Sequence, residues 1–235
     1  MFVVPFRILA SDCDTKRRYK LSSLLRSLEE ISIEDTTRLH MGREKTLDKG
    51  LLWVISRLSI KINELPKYDE AVKLITYPEK REHVLFPRYY VLKSPLGKTY
   101  LEAEALWTLI DAKTRKPVNP LDYGILIRGF AFKKESEILP VVTPLPISQT
   151  LSRTVLYSEL DLNGHLTNTR YADWFVDAFT DELKEKDLSS FNILFRQEAT
   201  EGETLELGLG KQESKAYLVG KRQGEDVFAI SASFR

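Results

Sequence analysis

Apolar residues along this chain change period twice, in the same order. Leu21, Leu24, Leu25 and Leu28 fall at i, i+3, i+4 and i+7, the stripe of an amphipathic helix. Tyr171, Trp174, Phe175 and Ala178 repeat the spacing, with Thr167 or Asn168 placed to cap that second helix. After the first helix, strand-like segments are read at 51–62, 70–77, 84–93 and 99–110, the last two joined by a turn with Pro-Leu-Gly at its tip. After the second they are read near 191–199, 203–209, 214–220 and 226–234, with Arg222, Gln223 and Gly224 as the matching turn. The opening run M-F-V-V-P-F-R-I-L-A-S-D contains a proline and lacks the basic flank of a signal peptide, so it reads as a first strand.

The repetition extends to the segments before the helices. I-L-A-S-D-C-D (8–14) and V-L-Y-S-E-L-D (155–161) each end in an aspartate, Asp14 or Asp161, with a serine three places earlier. Both read as extended. The order strand, helix, four strands therefore occurs twice. A long apolar helix followed by antiparallel strands is buried most simply when the curved sheet wraps it. The expected fold is α+β: two tandem hot-dog domains, each a curved antiparallel sheet around a central helix. The expected boundaries are 1–134 and 150–235, with 135–149 as a linker stiffened by the prolines of L-P-V-V-T-P-L-P (139–146). The competing arrangement is one α+β domain without a repeat.

Composition narrows the function classes. The 235 residues are 43% hydrophobic and 29% charged, with a formal net charge of +1. That balance suits a globular protein and supplies no global field toward nucleic acid or an anionic membrane. Its purest apolar runs, such as L-L-W-V-I at 51–55, are too short to span a bilayer. The single cysteine, Cys13, forms no internal disulfide, and no zinc-ligand spacing is present. The cytoplasm is the expected location, and no cofactor or metal is expected.

Asp161, Asn163, Gly164 and His165 stand in the loop entering the second helix. A helix N-terminus offers unpaired N–H groups and a partial positive charge, suited to an oxyanion. On this reading the backbone of Gly164 and His165 supplies oxyanion donors. His165 moves protons near neutral pH, Asn163 orients water or a carbonyl, and Asp161 fixes its neighbours or acts as a base. Asp and Asn are also ordinary turn residues. The first copy is an internal control: aligning Asp14 with Asp161 sets Lys16 opposite Asn163 and Arg18 opposite His165. The fold thus keeps the aspartate without needing Asn and His. Further on, F-N-I-L-F-R-Q-E-A-T-E-G-E-T (191–204) turns acidic at Glu198, Glu201 and Glu203. Strand alternation puts Gln197 on the face of Phe191, Ile193 and Phe195, and Glu198 on the other, unless a bulge intervenes. Glu201 and Glu203 read as a solvated strand end.

The run D-L-N-G-H-L-T-N-T-R-Y-A-D-W (161–174) resembles the signature of the acyl-acyl carrier protein thioesterases of plants and bacteria, through Asp161, Asn163, Gly164, His165, Asn168, Tyr171 and Trp174. Residues 88–118 resemble that family's central hairpin and its trailing W-x-x-x-(N/D)-x-x-(T/S)-R-(R/K) stretch. The resemblance implies a double hot dog with its site in the C-terminal half. It also makes Glu198 a candidate beside Asp161, Asn163 and His165. Plant members have Glu-Cys where this chain has Glu198 and Ala199, which removes a thiol nucleophile and favours a water-based or aspartyl anhydride mechanism.

The implied activity is hydrolysis of fatty acyl thioesters on acyl carrier protein, releasing free fatty acid. The acyl chain would run through the N-terminal half, where Leu21, Leu24, Leu28, Leu51, Trp53 and Ile55 are candidate liners as well as ordinary core. The acidic carrier would dock on K-R-R-Y-K at 16–20, Arg170 and Lys221-Arg222. No nucleic-acid or membrane partner is expected, and a homodimer stays open. The alternatives are an acyl-CoA thioesterase, a non-catalytic acyl-binding double hot dog and, third, a dehydratase. G-L-G-K at 208–211 lacks the spacing of a P-loop.

Overall fold

Each half runs strand, helix, four strands, as the two periods require. The computed structural model describes residues 1–81, 83–130 and 142–235. The first half runs β1 (Phe2–Arg7), α1 (Leu21–Arg38), β2 (Leu51–Ile62), β3 (Ala71–Pro78), β4 (Leu85–Lys93) and β5 (Thr99–Asp111). The second runs β6 (Ile147–Thr154), α2 (Asn168–Ala178), a short α3 (Thr180–Glu185), β7 (Leu188–Phe195), β8 (Thr204–Gln212), β9 (Lys215–Arg222) and β10 (Glu225–Phe234). Of the linker expected at 135–149, residues 135–141 lie outside the described residues, as do 131–134 of the first domain as read. Residues 142–146 have no regular structure, and Val142 and Leu145 pack on Tyr217, Val219 and Ala229, whereas 147–149 belong to β6, which pairs with β8, so the second domain begins before the expected boundary at 150.

The ten strands of the described residues form one antiparallel sheet in the order β1-β3-β4-β5-β2-β7-β10-β9-β8-β6. The second five repeat the order of the first five in reverse, so the halves are related by a pseudo-twofold at the β2–β7 seam. That seam is paired from Arg57 opposite Leu194 to Lys61 opposite Ser190. One core cluster unites Leu21, Leu24, Leu25, Leu28 and Ile31 of α1, Tyr171, Trp174 and Phe175 of α2, and the inner faces of both sheet halves. The chain therefore has the double hot-dog architecture.

The two central helices, α1 and α2, are each buried in their own way. Beyond its leucine stripe α1 buries polar groups that the sheet satisfies. Ser32 Oγ and the Tyr90 hydroxyl lie 2.7 Å apart, the Trp107 indole N–H donates to Tyr90 at 3.2 Å, and Asp35 pairs with Arg88 at 2.8 Å. α2 is held by rings: Tyr171 meets Phe228 at 4.7 Å between centroids, and Phe175 meets Phe191 at 5.4 Å.

The segments 8–14 and 155–161 are not extended throughout. Each contains a single 3-10 turn, Ala10–Asp12 and Tyr157–Glu159. The repeat is real there, but its conformation is a tight turn made by local carbonyl bonds, Cys13 N–H to Ala10 O and Leu160 N–H to Tyr157 O.

Candidate active site

The loop before each helix folds the same way, with positions offset by 147 residues. In the first half Asp14 Oδ1 accepts the Lys16 and Arg18 N–H groups at 2.9 and 2.8 Å. In the second, Asp161 Oδ1 accepts those of Asn163 and His165 at 2.8 and 3.0 Å. The left-handed residue of each loop is Arg17 (φ 62°) or Gly164 (φ 80°). Asp161 is thus the organiser of an Asx-type turn, a task that the loop also gives to Asp14.

This geometry corrects the expected oxyanion donors. The Gly164 N–H donates to the Asp161 carbonyl at 3.1 Å, and the His165 N–H to the Asp161 carboxylate. Neither is free for a substrate oxygen. At the start of α2 the N–H groups of Asn168 and Thr169 have no backbone partner among the described residues. Thr167 occupies the N-cap position without a side-chain cap bond, and Asn168 does not cap either. Its carboxamide instead donates to Glu29 Oε1 on α1 at 2.8 Å.

His165 and Glu198 come together through backbone pairing. The Leu166 N–H donates to the Ala199 carbonyl at 2.8 Å, and His165 bridges to Thr200, which sets residue 198 beside the loop. Nε2 of His165 then lies 3.4 Å from Oε2 of Glu198. Alternation does not carry to Glu198, because β7 ends at Phe195. The N–H groups of Arg196 and Gln197 both converge on the Val227 carbonyl, at 2.9 and 3.1 Å, so the chain bends where the strand would have continued.

The other oxygen of Glu198 is paired with Arg115 of the first half. Arg115 lies in a left-handed turn (φ 58°) after β5. Asp111 builds that turn by accepting the Lys113 and Thr114 N–H groups at 3.0 and 2.7 Å, bonds that hold its carboxyl below the usual range. The W-x-x-x-(N/D)-x-x-(T/S)-R stretch therefore delivers an arginine to the carboxylate facing His165. Residue spacing did not mark Arg115 as a site residue, because its target lies in the other half.

Glu159 was also missed. It is buried, and accepts the Trp174 indole N–H at 3.0 Å and the Leu156 N–H at 3.0 Å. Burial pushes its carboxyl up, but these donors together with Arg153 prevail and hold it below its ordinary value. The only signal in sequence was its alignment with Asp12. Asn163 is exposed, with its amide 3.4 Å from Asp161 Oδ2. Glu203 is engaged by Arg222 at 2.8 Å and by the Thr200 N–H at 2.9 Å, a turn-stabilising role.

The expected acyl liners divide between clusters. Leu21, Leu24, Leu28 and Ile55 belong to the main core. Leu51 and Trp53 instead pack with Leu109 and Ile125, and Trp53 meets Phe86 edge-on at 5.0 Å. The expected docking cations are partly neutralised. Arg18 pairs with Asp14 and Asp187 at 2.7 and 2.6 Å, Arg170 with Asp173 at 2.8 Å, and Arg222 with Glu203.

Comparison with known proteins agrees with this arrangement. Residues 1–122 match the sequence model of the acyl-ACP thioesterase N-terminal domain, and residues 146–235 that of its C-terminal domain. The chain is 21% identical over 229 residues to the chloroplastic acyl-[acyl-carrier-protein] hydrolase FATB1 of Cuphea viscosissima, covering 86% of this chain and 52% of that protein. It is 20% identical over 219 residues to the dodecanoyl-[acyl-carrier-protein] hydrolase of Cinnamomum camphora, covering 83% and 55%. The chain thus spans about half the length of the curated relatives it matches. An acyl-ACP thioesterase structure from Bacteroides thetaiotaomicron superposes with a TM-score of 0.82 at 24% identity, over 100% of this chain and 97% of that one. A 12:0-ACP thioesterase from Umbellularia californica does so with 0.84 at 17% identity, over 100% and 96%. These likenesses show a shared fold, and the matches to both domain sequences go further: the chain belongs to the acyl-ACP thioesterase family.

Proposed function

We propose that this protein hydrolyses fatty acyl thioesters carried on acyl carrier protein, releasing the free acid and the carrier thiol. The observation that carries the reading is the His165–Glu198 pair, 3.4 Å apart at the entrance to α2, with Arg115 holding Glu198 from the other half. In this mechanism His165 turns its Nε2–H toward Glu198, water attacks the thioester carbonyl carbon and passes a proton to the other ring nitrogen, Nδ1, and Glu198 stabilises the charge that develops on the imidazole. Collapse of the tetrahedral intermediate breaks the C–S bond, and the thiolate takes that proton from His165. Asn163, exposed at the loop tip, positions the water or the carbonyl. The positive end of α2, with the Asn168 and Thr169 N–H groups, faces the charge that develops on oxygen. Asp161 holds the loop through Oδ1, which two backbone donors engage, and in this mechanism water, not Asp161, is the nucleophile. A thiol route has no support: position 199 is alanine, and the single cysteine, Cys13, donates to the Leu9 carbonyl in the first-half loop, with burial pushing its thiol up.

The test is thiol release from acyl carrier protein substrates. General acid–base help contributes roughly 10²–10⁴ in rate, so His165→Ala should lower kcat by about that range while the melting temperature is kept. Glu198→Gln should lower it as well. A folded His165→Ala protein with wild-type turnover would overturn the proposal. The alternative handle is CoA, and the same assay separates the two. Comparing kcat/KM for the same acyl group on carrier protein and on CoA decides between them, the higher value naming the handle.

A further inference from the structure

We propose that Glu29 is a positioning residue for this site: from the first half it holds the Asn168 carboxamide, and through it the start of α2 and the loop that carries His165. The proposal rests on the thioesterase reading above. Its first support is geometric. The Asn168 Nδ2–Glu29 Oε1 bond, 2.8 Å long, joins side chains 139 positions apart, across the contact between the two helices. Asn168 is the first residue of α2 and stands three residues after His165, so whatever fixes it fixes the helix end that faces the reacting oxygen.

The second support comes from the pseudo-twofold. The 147-residue offset places Leu21 where Asn168 stands and Val176 where Glu29 stands. Leu21 is core, and Val176 packs against the core. The fold therefore accommodates apolar residues at both related positions. A carboxyl paired with an amide costs desolvation that an apolar pair avoids, so its presence on the catalytic side asks for a role beyond packing.

The third is electrostatic. Burial pushes the Glu29 carboxyl up to about 7. The Asn168 bond pulls it back, while the charges of its α1 neighbour Glu30 and of Asp161 push it further. Glu29 thus lies within the field of the loop's organising carboxylate, although it belongs to the other half.

The experiment measures kcat and KM for thiol release in wild type, Glu29→Gln, Glu29→Ala, Asn168→Asp and the double variant Glu29→Gln/Asn168→Asp. The glutamine keeps an acceptor for Asn168 and should retain kcat within about threefold, whereas Glu29→Ala should lose about tenfold or more in kcat with KM little changed. Asn168→Asp removes the amide donor and, assayed well above the raised Glu29 titration, sets two carboxylates against each other, so it should lose at least as much. The double variant restores one donor and one acceptor in exchanged places and should recover most of that loss, which a packing role does not predict. Wild-type kcat in a folded Glu29→Ala protein, or no recovery in the exchanged pair, would overturn the role while leaving the hydrolase standing. If Glu29→Ala does not fold, the glutamine and the exchanged pair decide. A wild type that releases no thiol from any acyl substrate overturns the hydrolase reading first, and this role with it.

Discussion

Glu29 shows how one side chain can link the site to the stability of the chain. Its carboxyl is raised from 4.5 to about 7 by burial. Between those values the folded protein holds a proton that the unfolded chain has released. The unfolded state then binds fewer protons, so stability falls as pH rises through that window and levels off above it. Glu29→Gln removes the titration. Denaturant midpoints for wild type and variant should therefore diverge from about pH 5 to about pH 8, the variant losing less. Equal pH slopes for the two proteins would show that the carboxyl is not held up in this way. The placement of Asp161, Asn163 and His165 at the entrance to α2 was legible at this scale from their motif, since loop and helix start are contiguous in sequence. Asp161's task as turn organiser became plain only when Asp14 was seen doing the same in the first half.

At the scale of elements, α2 depends on a glycine far from it in sequence. Gly220 on β9 faces the Phe228 ring of β10, and a Cβ there would overlap that ring. Phe228 in turn packs edge-on against Tyr171 and, at 6.2 Å, against Trp174. Gly220→Ala should push the ring into the aromatic seat of α2 and cost about 1–3 kcal/mol in unfolding free energy. Calorimetry or urea unfolding checks this, and an unchanged midpoint would mean that the strand yields instead. The helices and most strands were readable from the 3.6 and 2.0 periods, with ends shifted by a few residues. The stretch 155–161 was not, because a 3-10 turn bracketed by extended residues shows the same short apolar alternation as a strand.

At the scale of the whole molecule, the strands of the described residues form one sheet whose two halves are joined along β2 and β7. Separating the halves would expose two long edge strands and the contact face of each helix. Residues 1–130 and 142–235 produced separately should therefore aggregate or stay poorly folded. Produced together, they should recover a soluble complex, as size-exclusion chromatography would report. Two monomeric, cooperatively folded halves would contradict this.

The sequence by itself determined the kinds of element, their order, the internal repeat and the loop that brings Asp161, Asn163 and His165 to a helix start. All of these follow from local periodicity and turn chemistry, which neighbouring residues impose on one another. The structure showed that the Gly164 and His165 N–H groups are already bonded within their loop, and tertiary structure alone decided that Glu198 meets His165, that Arg115 reaches Glu198, and that Glu29 grips Asn168. Apart from the N–H bonds inside the loop, these contacts join distant segments. Their partners are fixed by sheet register and by how two helices cross, which no short window of residues encodes.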